Sequence, residues 1–418
     1  MFKVSSSVAP VILTSLVYLS AIGSAHARQT TGGLGTTSAI FVPTTDKTTA
    51  EQKGSGYYFR VRIKGMRAAY FGGFWQKVKD LVVTSQVSIG GNPVTTIQHV
   101  RAIKKNNPDV MNANIDLIEL TPASMVNAHI KVSFIAETSN KFQTLLQMLG
   151  GGTDTSTVAS PLSLDPATAA VAAKVSTIAS TLLSTLSDSS DSSTTDLLDM
   201  EEDLSPAVGD VRDGYYVMFA SEDPKYPLPA SLSANAIHVG DDGSIQVDNT
   251  DVSNLSYLVL EVDTLPVKTE QYGTGAWKSQ LDTIDNDILG LANKQGESQQ
   301  DYTTDYEKIE QAISNVGPLL NADPTYTKDD KTGILALRYT RLQKANPTAY
   351  TAYLASKTHV PVAAAAANQN NVLTPPAVTS ITGAITLGEL VNKASEYETK
   401  VNQNRSHIQD VLGSTAAP

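Results

Sequence analysis

The residues best suited to chemistry lie in one stretch, between positions 57 and 79, where basic side chains are interleaved with aromatic rings. Cations beside amphipathic rings suit anionic glycans or lipid head groups, because the charge attracts the partner and the rings stack on it or contact the interface. We therefore predict a ligand-binding surface with these members: Arg60, Arg62, Lys64, Arg67, Trp75, Lys77 and Lys79.

The charge distribution makes this stretch unusual within the chain. Residues 57–105 contain nine basic residues and only Asp80 as an acid, whereas the whole chain has a net charge of −11. An acidic protein does not bind nucleic acid over its whole surface, so a local site for another anion is favoured. The alternative is that the cations solvate the outer face of a strand while the rings build the core. The binding hypothesis fails if carboxylates of the same chain already neutralise these cations.

Motifs for catalysis or metal binding are not found in the sequence. The absence of cysteine excludes disulfides, thiolate metal sites and cysteine nucleophiles. The histidines beyond position 28 do not have metal-ligand spacing, and no G-x-S-x-G, H-E-x-x-H or Walker motif occurs. We therefore predict no catalytic residue, no metal site and no cofactor, and we favour a protein that is not an enzyme while leaving the enzymatic alternative open.

Carboxylates leave two alternatives open. Glu119 and Glu261 each interrupt an apolar strand pattern and are the candidates for a carboxylate-dependent hydrolase of extracellular polymer. A lone acid in a strand more often points to solvent. The acids around Gly243 do not follow the calcium-loop register, so turn chemistry is favoured over a calcium site. These acids are Asp241, Asp242, Asp248 and Asp251.

The amino terminus predicts export. Residues 1–27 combine Lys3, an apolar stretch and the cleavage signal Ala25-His26-Ala27, which is typical of a signal peptide. We expect an exported protein of the periplasm or the extracellular space. Residues 28–56 are rich in Thr and Gly and predict a flexible arm.

Two regions show the alternation typical of β-strands. The first, 57–142, contains about five candidate strands, with a hairpin turn at Gly90-Gly91-Asn92-Pro93. The second, 214–268, contains four more, with a turn at Asp242-Gly243. Both regions begin with Gly-Tyr-Tyr, which leaves a duplication open. Between them, 143–213 is a Ser/Thr-rich linker with one candidate helix and an acidic run from Asp188 to Asp213.

The last region, 269–418, has the most regular helical spacing. Apolar residues recur every three or four positions over 281–291 and 302–316, and a heptad pattern runs from Leu387 to Val411 with Asn404 as its polar member. Such a seam requires a helical partner. We favour an intramolecular bundle, and the alternative is self-association through 387–411. Ala363 to Ala367 predict a loop.

These patterns predict a multidomain α+β protein. It would consist of two antiparallel, sandwich-like β domains and a heptad-patterned helical domain. The favoured function is a non-catalytic envelope or secreted protein that binds an anionic partner or assembles through its helices. The alternatives are the hydrolase and a homo-oligomeric structural protein.

Overall fold

The computed structural model describes residues 35–36, 39–44, 56–67, 69, 80–89, 92–102, 110–123, 128–137, 194–204, 211, 213–221, 228, 232–273, 275–372 and 385–413. The predicted signal peptide, the helix expected between Asp165 and Asp188, and the segment containing Trp75, Lys77 and Lys79 lie outside these residues. In the described part of the chain, no helix is long and apolar enough to cross a membrane.

The largest sheet is antiparallel and has six strands. Its order is β1-β9-β12-β3-β6, and β2 also pairs with β9. The strands are β1 (Gly35–Thr36), β2 (Ile40–Pro43), β3 (Tyr58–Arg67), β6 (Val110–Pro122), β9 (Gly214–Ser221) and β12 (Ser256–Leu265). Every residue of the central strand β12 is buried. This sheet therefore has covering structure on both faces.

A second antiparallel sheet covers one face of the first. Its order is β5-β4-β7-β8, and its strands are β4 (Asp80–Ile89), β5 (Asn92–Ala102), β7 (Ala128–Glu137) and β8 (Thr194–Leu204). Side chains of both sheets meet in one apolar core: Phe59, Val61, Ile63, Leu258, Leu260 and Val262 pack with Val87, Ile130, Val132 and Met200. The two sheets form one hydrophobic unit.

Strands from both predicted β regions share the large sheet, which corrects the expectation of two separate sandwich-like domains. β3 and β6 come from the first region and β9 and β12 from the second, and β12 pairs with β3 on one side and β9 on the other. Antiparallel pairing does not depend on sequence distance, so local alternation cannot reveal which strands are neighbours. The predicted strands themselves are present, and the α+β class is confirmed.

Two segments predicted as irregular contribute strands instead. The acidic run contains β8, which pairs with β7 in a register that places Glu201 opposite Lys131 and Asp203 opposite His129. Met200 of β8 is buried in the core between the sheets, which explains how an acidic segment joins a sheet. Within the predicted flexible arm, β1 and β2 pair with β9. In both segments, backbone pairing with a neighbouring strand produces a β-strand where the composition predicted irregular structure.

A small hairpin covers part of the other face of the large sheet. It consists of β10 (Ile237–Val239) and β11 (Ile245–Val247). Its turn contains Gly243 at φ 75°, a conformation that favours glycine. A Cβ on Gly65 of β3 would lie 2.5 Å from the Gly243 carbonyl oxygen. The turn therefore lies directly against β3.

The rest of the described chain is helical. The helices are α1 (Ala276–Asn293), α2 (Gln299–Ala322), α3 (Lys328–Ala345), α4 (Pro347–Thr358), α5 (Val362–Asn368), α6 (Leu387–Gln403) and α7 (Arg405–Gly413). The apolar faces predicted for α1 and α2 are buried, including Leu281, Ile284, Ile309 and Ile313. The expected loop at Ala363 to Ala367 is wrong, because these alanines form α5; alanine is the strongest helix former.

Helix α3 is the centre of the helical unit and was not predicted. It packs against α1, α2, α4 and α6, and its residues from Asp330 to Thr340 are all buried. A helix surrounded by others has no apolar stripe opposite a polar one, so periodicity gives no signal. Its buried polar residues, among them Asp330 and Arg338, obscure the pattern further.

The heptad segment forms two helices. Helix α6 ends at Gln403, and the Asn404 side-chain amide donates to the Lys400 carbonyl at 2.8 Å. Such a side chain competes for a backbone acceptor, so Asn404 ends the helix and does not fix the register of a coiled coil. Leu390, Ala394 and Ile408 are buried inside the same chain. These residues pack within the same chain, as the favoured intramolecular alternative predicts.

Candidate functional site

The predicted basic residues of β3 lie opposite acids of β12. Period-two alternation directs Val61 and Ile63 into the core between the sheets, so that Arg60, Arg62 and Lys64 lie on the opposite face. The register pairs Arg60 with Asp263 and Arg62 with Glu261. Cations of one strand therefore face carboxylates of the next.

Arg60 is the most completely enclosed of these cations. Its residue exposure is 2%, and its Nη2 and Nε lie 2.8 and 3.1 Å from Oδ2 of Asp263. Its Nη1 donates to the Val411 carbonyl of α7 at 2.7 Å. One guanidinium therefore joins β3, β12 and the last helix. A buried arginine requires such partners because an unpaired buried charge is costly.

Arg62 and Lys64 share the remaining acid. Arg62 Nε donates to Oε2 of Glu261, and Lys64 Nζ lies 3.6 Å from the same oxygen. Arg62 Nη2 also lies 3.9 Å from Oδ2 of Asp263. Glu261 is therefore held by two cations, which is a structural role for one of the two candidate hydrolase acids.

Asp116 of β6 is a third carboxylate beside this group, opposite Arg62 in the β3–β6 register. Burial raises its pKa, although the positive charges of Arg60 and Arg62 act in the opposite direction. On β9, burial raises the pKa of the Tyr215 hydroxyl, and the charge of Glu261 adds to the effect. The six charged residues, three of each sign, are named the charged layer: Arg60, Arg62, Lys64, Asp116, Glu261 and Asp263.

The predicted open basic surface is therefore wrong at Arg60, Arg62 and Lys64. The physical reason is coverage of their face of the sheet by residues distant in sequence. The hairpin turn at Gly243 lies against β3, and α7 is bound to the sheet through Arg60 and through His407, whose Nε2 lies 2.6 Å from the Thr264 carbonyl oxygen. The alternation correctly assigns the apolar and the basic residues to opposite faces of β3, but both faces are buried.

Arg67, at the end of β3, differs from these three cations. It is half-buried, and its charge acts on the carboxylate of Asp251, although no ion pair within 4.0 Å joins it to another described residue. Its Nε is shielded from solvent and has no hydrogen-bond partner. The other three predicted site residues, Trp75, Lys77 and Lys79, follow it in sequence and lie outside the described residues.

A second buried polar group joins the sheet to the helical unit. Asp330 of α3 accepts through Oδ2 from the Tyr58 hydroxyl at 2.6 Å and from the Lys268 backbone N–H at 2.8 Å. Burial raises the pKa of Asp330 to about 7, although these hydrogen bonds oppose the shift. The same burial raises the pKa of the Tyr58 hydroxyl well above its ordinary value. We name Tyr58, Lys268, Thr327 and Asp330 the junction cluster.

This cluster was not predicted, although the sequence contains one signal for it. Thr327 precedes Asp330 by three positions, and its side chain accepts from the Asp330 N–H, which is a helix N-cap. Lys268 lies beside it with Nζ 4.6 Å from the centre of the Tyr326 ring, and burial lowers the pKa of Lys268.

The acids around Gly243 have local roles. Oδ1 of Asp242 accepts from the Ser244 N–H at 2.9 Å, and Oδ1 of Asp251 accepts from the Ser253 N–H at 2.8 Å. Asp248 lies 3.1 Å from Nε2 of His238. These contacts are turn hydrogen bonds and one pair on the surface. Such local roles are what the sequence favoured over a calcium site. Among the residues that the structure describes, no group of three or more acids or histidines is arranged to hold a metal ion.

Two clefts are described, both in the helical unit. One has a volume of about 280 Å³ and lies between α3, α6 and the turn that follows β12. The other, of about 670 Å³, is a groove lined by residues of α2 together with Lys357 of α4. The residues lining these two clefts do not include Glu119 or Glu261.

Comparison with known proteins yields no family model that matches this chain and no curated protein that resembles it.

Proposed function

We propose that the chain is an exported, non-catalytic binding protein that takes an anionic partner, a glycan or a lipid head group, at the Arg67 end of β3. The proposal is narrower than the sequence prediction, because Arg60, Arg62 and Lys64 are internal. The signal-peptide pattern of residues 1–27 supports export.

The observation that carries the proposal is the contrast along a single strand. Arg60 is 2% exposed and paired with Asp263, whereas Arg67 is half-buried and, within the described residues, unpaired. An unpaired guanidinium retains the donors that bind carboxylate or phosphate. Lys77, Lys79 and Trp75 follow within twelve positions of Arg67 and supply more charge and an aromatic ring. We therefore propose the binding surface at the Arg67 end of β3 and not in the middle of the strand.

The two remaining alternatives have less support. Glu261, a candidate acid of the hydrolase, is held by Arg62 and Lys64. Six of the eight heptad residues proposed for self-association are buried within the same chain, and the other two, Val401 and Asn404, are partly buried. Neither group is presented on the surface for its proposed role.

Retention of the protein on vesicles tests the proposal. Vesicles containing phosphatidylglycerol are compared with neutral phosphatidylcholine vesicles, and a sulfated polysaccharide resin provides the glycan arm. We expect retention only on the anionic material and several-fold weaker retention between about 50 and 300 mM salt, because salt screens exposed charges. The triple variant Arg67→Gln, Lys77→Gln, Lys79→Gln is expected to lose this retention.

The matched control is Lys308→Gln, which removes a charge from α2, where the lysine side chain is 67% exposed. This control is expected to bind as the unmodified protein does. Retention that is indifferent to salt, or an equal loss in the control, contradicts the proposal.

A further inference from the structure

The cleft of about 280 Å³ lies where the chain leaves the sheet and enters the helical unit. One wall is the turn containing Thr269 and Glu270, the second is α3 with Leu337 and Arg341, and the third is α6, which includes Glu398 and Val401. Its volume is near the lower end of ligand pockets, about 300 Å³. A small organic molecule therefore fits the space.

The walls combine an apolar surface with separate charges. Leu337 is almost fully buried and Val401 is partly buried against the same core, so they provide a surface for methylene groups. Oε1 of Glu270 accepts from Arg338 Nη1 at 3.2 Å. Its Oε2 has only a long contact of 3.5 Å with the Tyr397 hydroxyl. Glu270 thus retains an acceptor for a ligand.

Glu398 is a second acceptor. It is exposed on α6, and within the described residues it has no ion pair. Arg341 stands on α3 with Nη1 3.2 Å from Oδ1 of Asp285, and its side chain is 47% exposed. The guanidinium therefore has further N–H groups available for a carboxylate.

The charge balance favours a ligand with a net positive charge. The buried Arg338 is bound by Glu270 and Asp285, and Asp285 also binds Arg341. Around the cleft three carboxylates therefore accompany two guanidinium groups, since Glu398 has no cation of its own among the described residues.

We propose that this cleft binds a basic α-amino acid. The carboxylate of the ligand would bind Arg341, its two ammonium groups would bind Glu270 and Glu398, and its methylene chain would lie on Leu337 and Val401. This site is separate from the anion-binding surface proposed at Arg67.

Isothermal titration calorimetry of the full chain with L-lysine tests this inference. We expect saturable binding of L-lysine, at least about tenfold weaker binding of 1,5-diaminopentane, which lacks the carboxylate, and no binding of L-glutamate, which reverses the side-chain charge. No saturable heat with L-lysine at concentrations up to about 10 mM, corresponding to a binding free energy weaker than roughly 3 kcal/mol, would overturn the proposal.

Two variants on α6 distinguish binding at this cleft from the general effect of removing a negative charge. Glu398→Gln is expected to weaken L-lysine binding about tenfold, because a charged hydrogen bond is lost. Glu396→Gln removes a 59% exposed carboxylate that pairs with Lys393 and does not line the cleft, and it is expected to have no effect. An equal loss in both variants contradicts a specific site.

A third variant tests the carboxylate contact. Arg341→Met is expected to make L-lysine and 1,5-diaminopentane bind equally, whereas a preserved preference for L-lysine contradicts the assigned orientation. The thermal midpoint of each variant verifies that it is folded. Retention on anionic vesicles is measured in parallel and is expected to remain unchanged, so failure at one site is distinguishable from failure at the other.

Discussion

Two buried polar regions stabilise this protein in different ways. In the charged layer, Arg60 and Arg62 of β3 meet Asp263 and Glu261 of β12 directly. In the junction cluster, Asp330 accepts hydrogen bonds from the neutral hydroxyl of Tyr58 and from the backbone N–H of Lys268. Both regions exclude solvent, but in the first the cations contact the carboxylates directly, whereas the side chains of Lys268 and Lys400 act on Asp330 only through their charge.

The difference determines how each carboxylate tolerates burial. A guanidinium in contact with an acid favours the charged form of that acid, because the attraction offsets part of the lost hydration. An acid among neutral donors is more stable when protonated, which is why the pKa of Asp330 rises to about 7. The charged layer should therefore respond to the removal of a partner, and the junction cluster should respond to pH.

The largest expected effect follows from breaking the charged layer at Asp263. The variant Asp263→Ala leaves the guanidinium of Arg60, which is 2% exposed, without its carboxylate. We expect a loss of about 3–5 kcal/mol in the free energy of unfolding, because an unpaired charge remains buried. Urea denaturation monitored by circular dichroism measures the change.

Two further variants test the cause of this loss. Asp248→Ala removes an exposed acid that pairs with His238, and the loss is expected to be below about 1 kcal/mol. Replacing both partners, as Arg60→Met with Asp263→Leu, should restore part of the stability, since no buried charge remains. A double variant less stable than Asp263→Ala would show that the charge is not the cause.

A somewhat smaller effect is expected from the junction cluster as the pH changes. The folded-state pKa of Asp330, about 7, lies above its ordinary value of 3.8, so the folded protein holds this proton more tightly. Its stabilising contribution is therefore complete below pH 4 and is lost as the pH rises through 7, by at most about 4 kcal/mol. Urea midpoints at pH 5 and pH 8 measure the difference.

The variant Asp330→Asn assigns this pH dependence. An amide cannot lose a proton in this range, so we expect the difference between pH 5 and pH 8 to be smaller than in the unmodified protein. Asp282→Asn, which removes a 57% exposed carboxylate of α1, is expected to keep the full difference. If the two variants behave alike, Asp330 is not the responsible group.

The smallest expected effect comes from the hairpin that covers the charged layer. Gly65→Ala places a methyl group 2.5 Å from the Gly243 carbonyl oxygen, so the turn must shift. We expect a loss of about 1–3 kcal/mol in thermal unfolding experiments, as is typical of overpacking. Gly290→Ala in α1 meets no atom within 4 Å and should instead stabilise the protein by up to about 1 kcal/mol. A neutral Gly65→Ala would contradict the tight approach.

Local patterns predicted much of the secondary structure. Alternation in β3 and the three-four spacing of α1 and α2 identified these elements, because the period of a strand or helix depends on the backbone alone. The spacing also identified the buried faces of α1 and α2. It could not identify α3, which is buried on nearly all sides and carries Asp330 and Arg338 in its interior.

The site depended on contacts between distant parts of the chain. The sequence determined that Arg60, Arg62 and Lys64 share one face of β3. Only the tertiary structure decided that this face is closed. Arg60 is bound by the carboxylate of Asp263, which lies 203 residues away in sequence, and by the carbonyl of Val411, which lies 351 residues away. Alternation separates the two faces of a strand, but solvent exposure is set by whatever the rest of the chain places on each face.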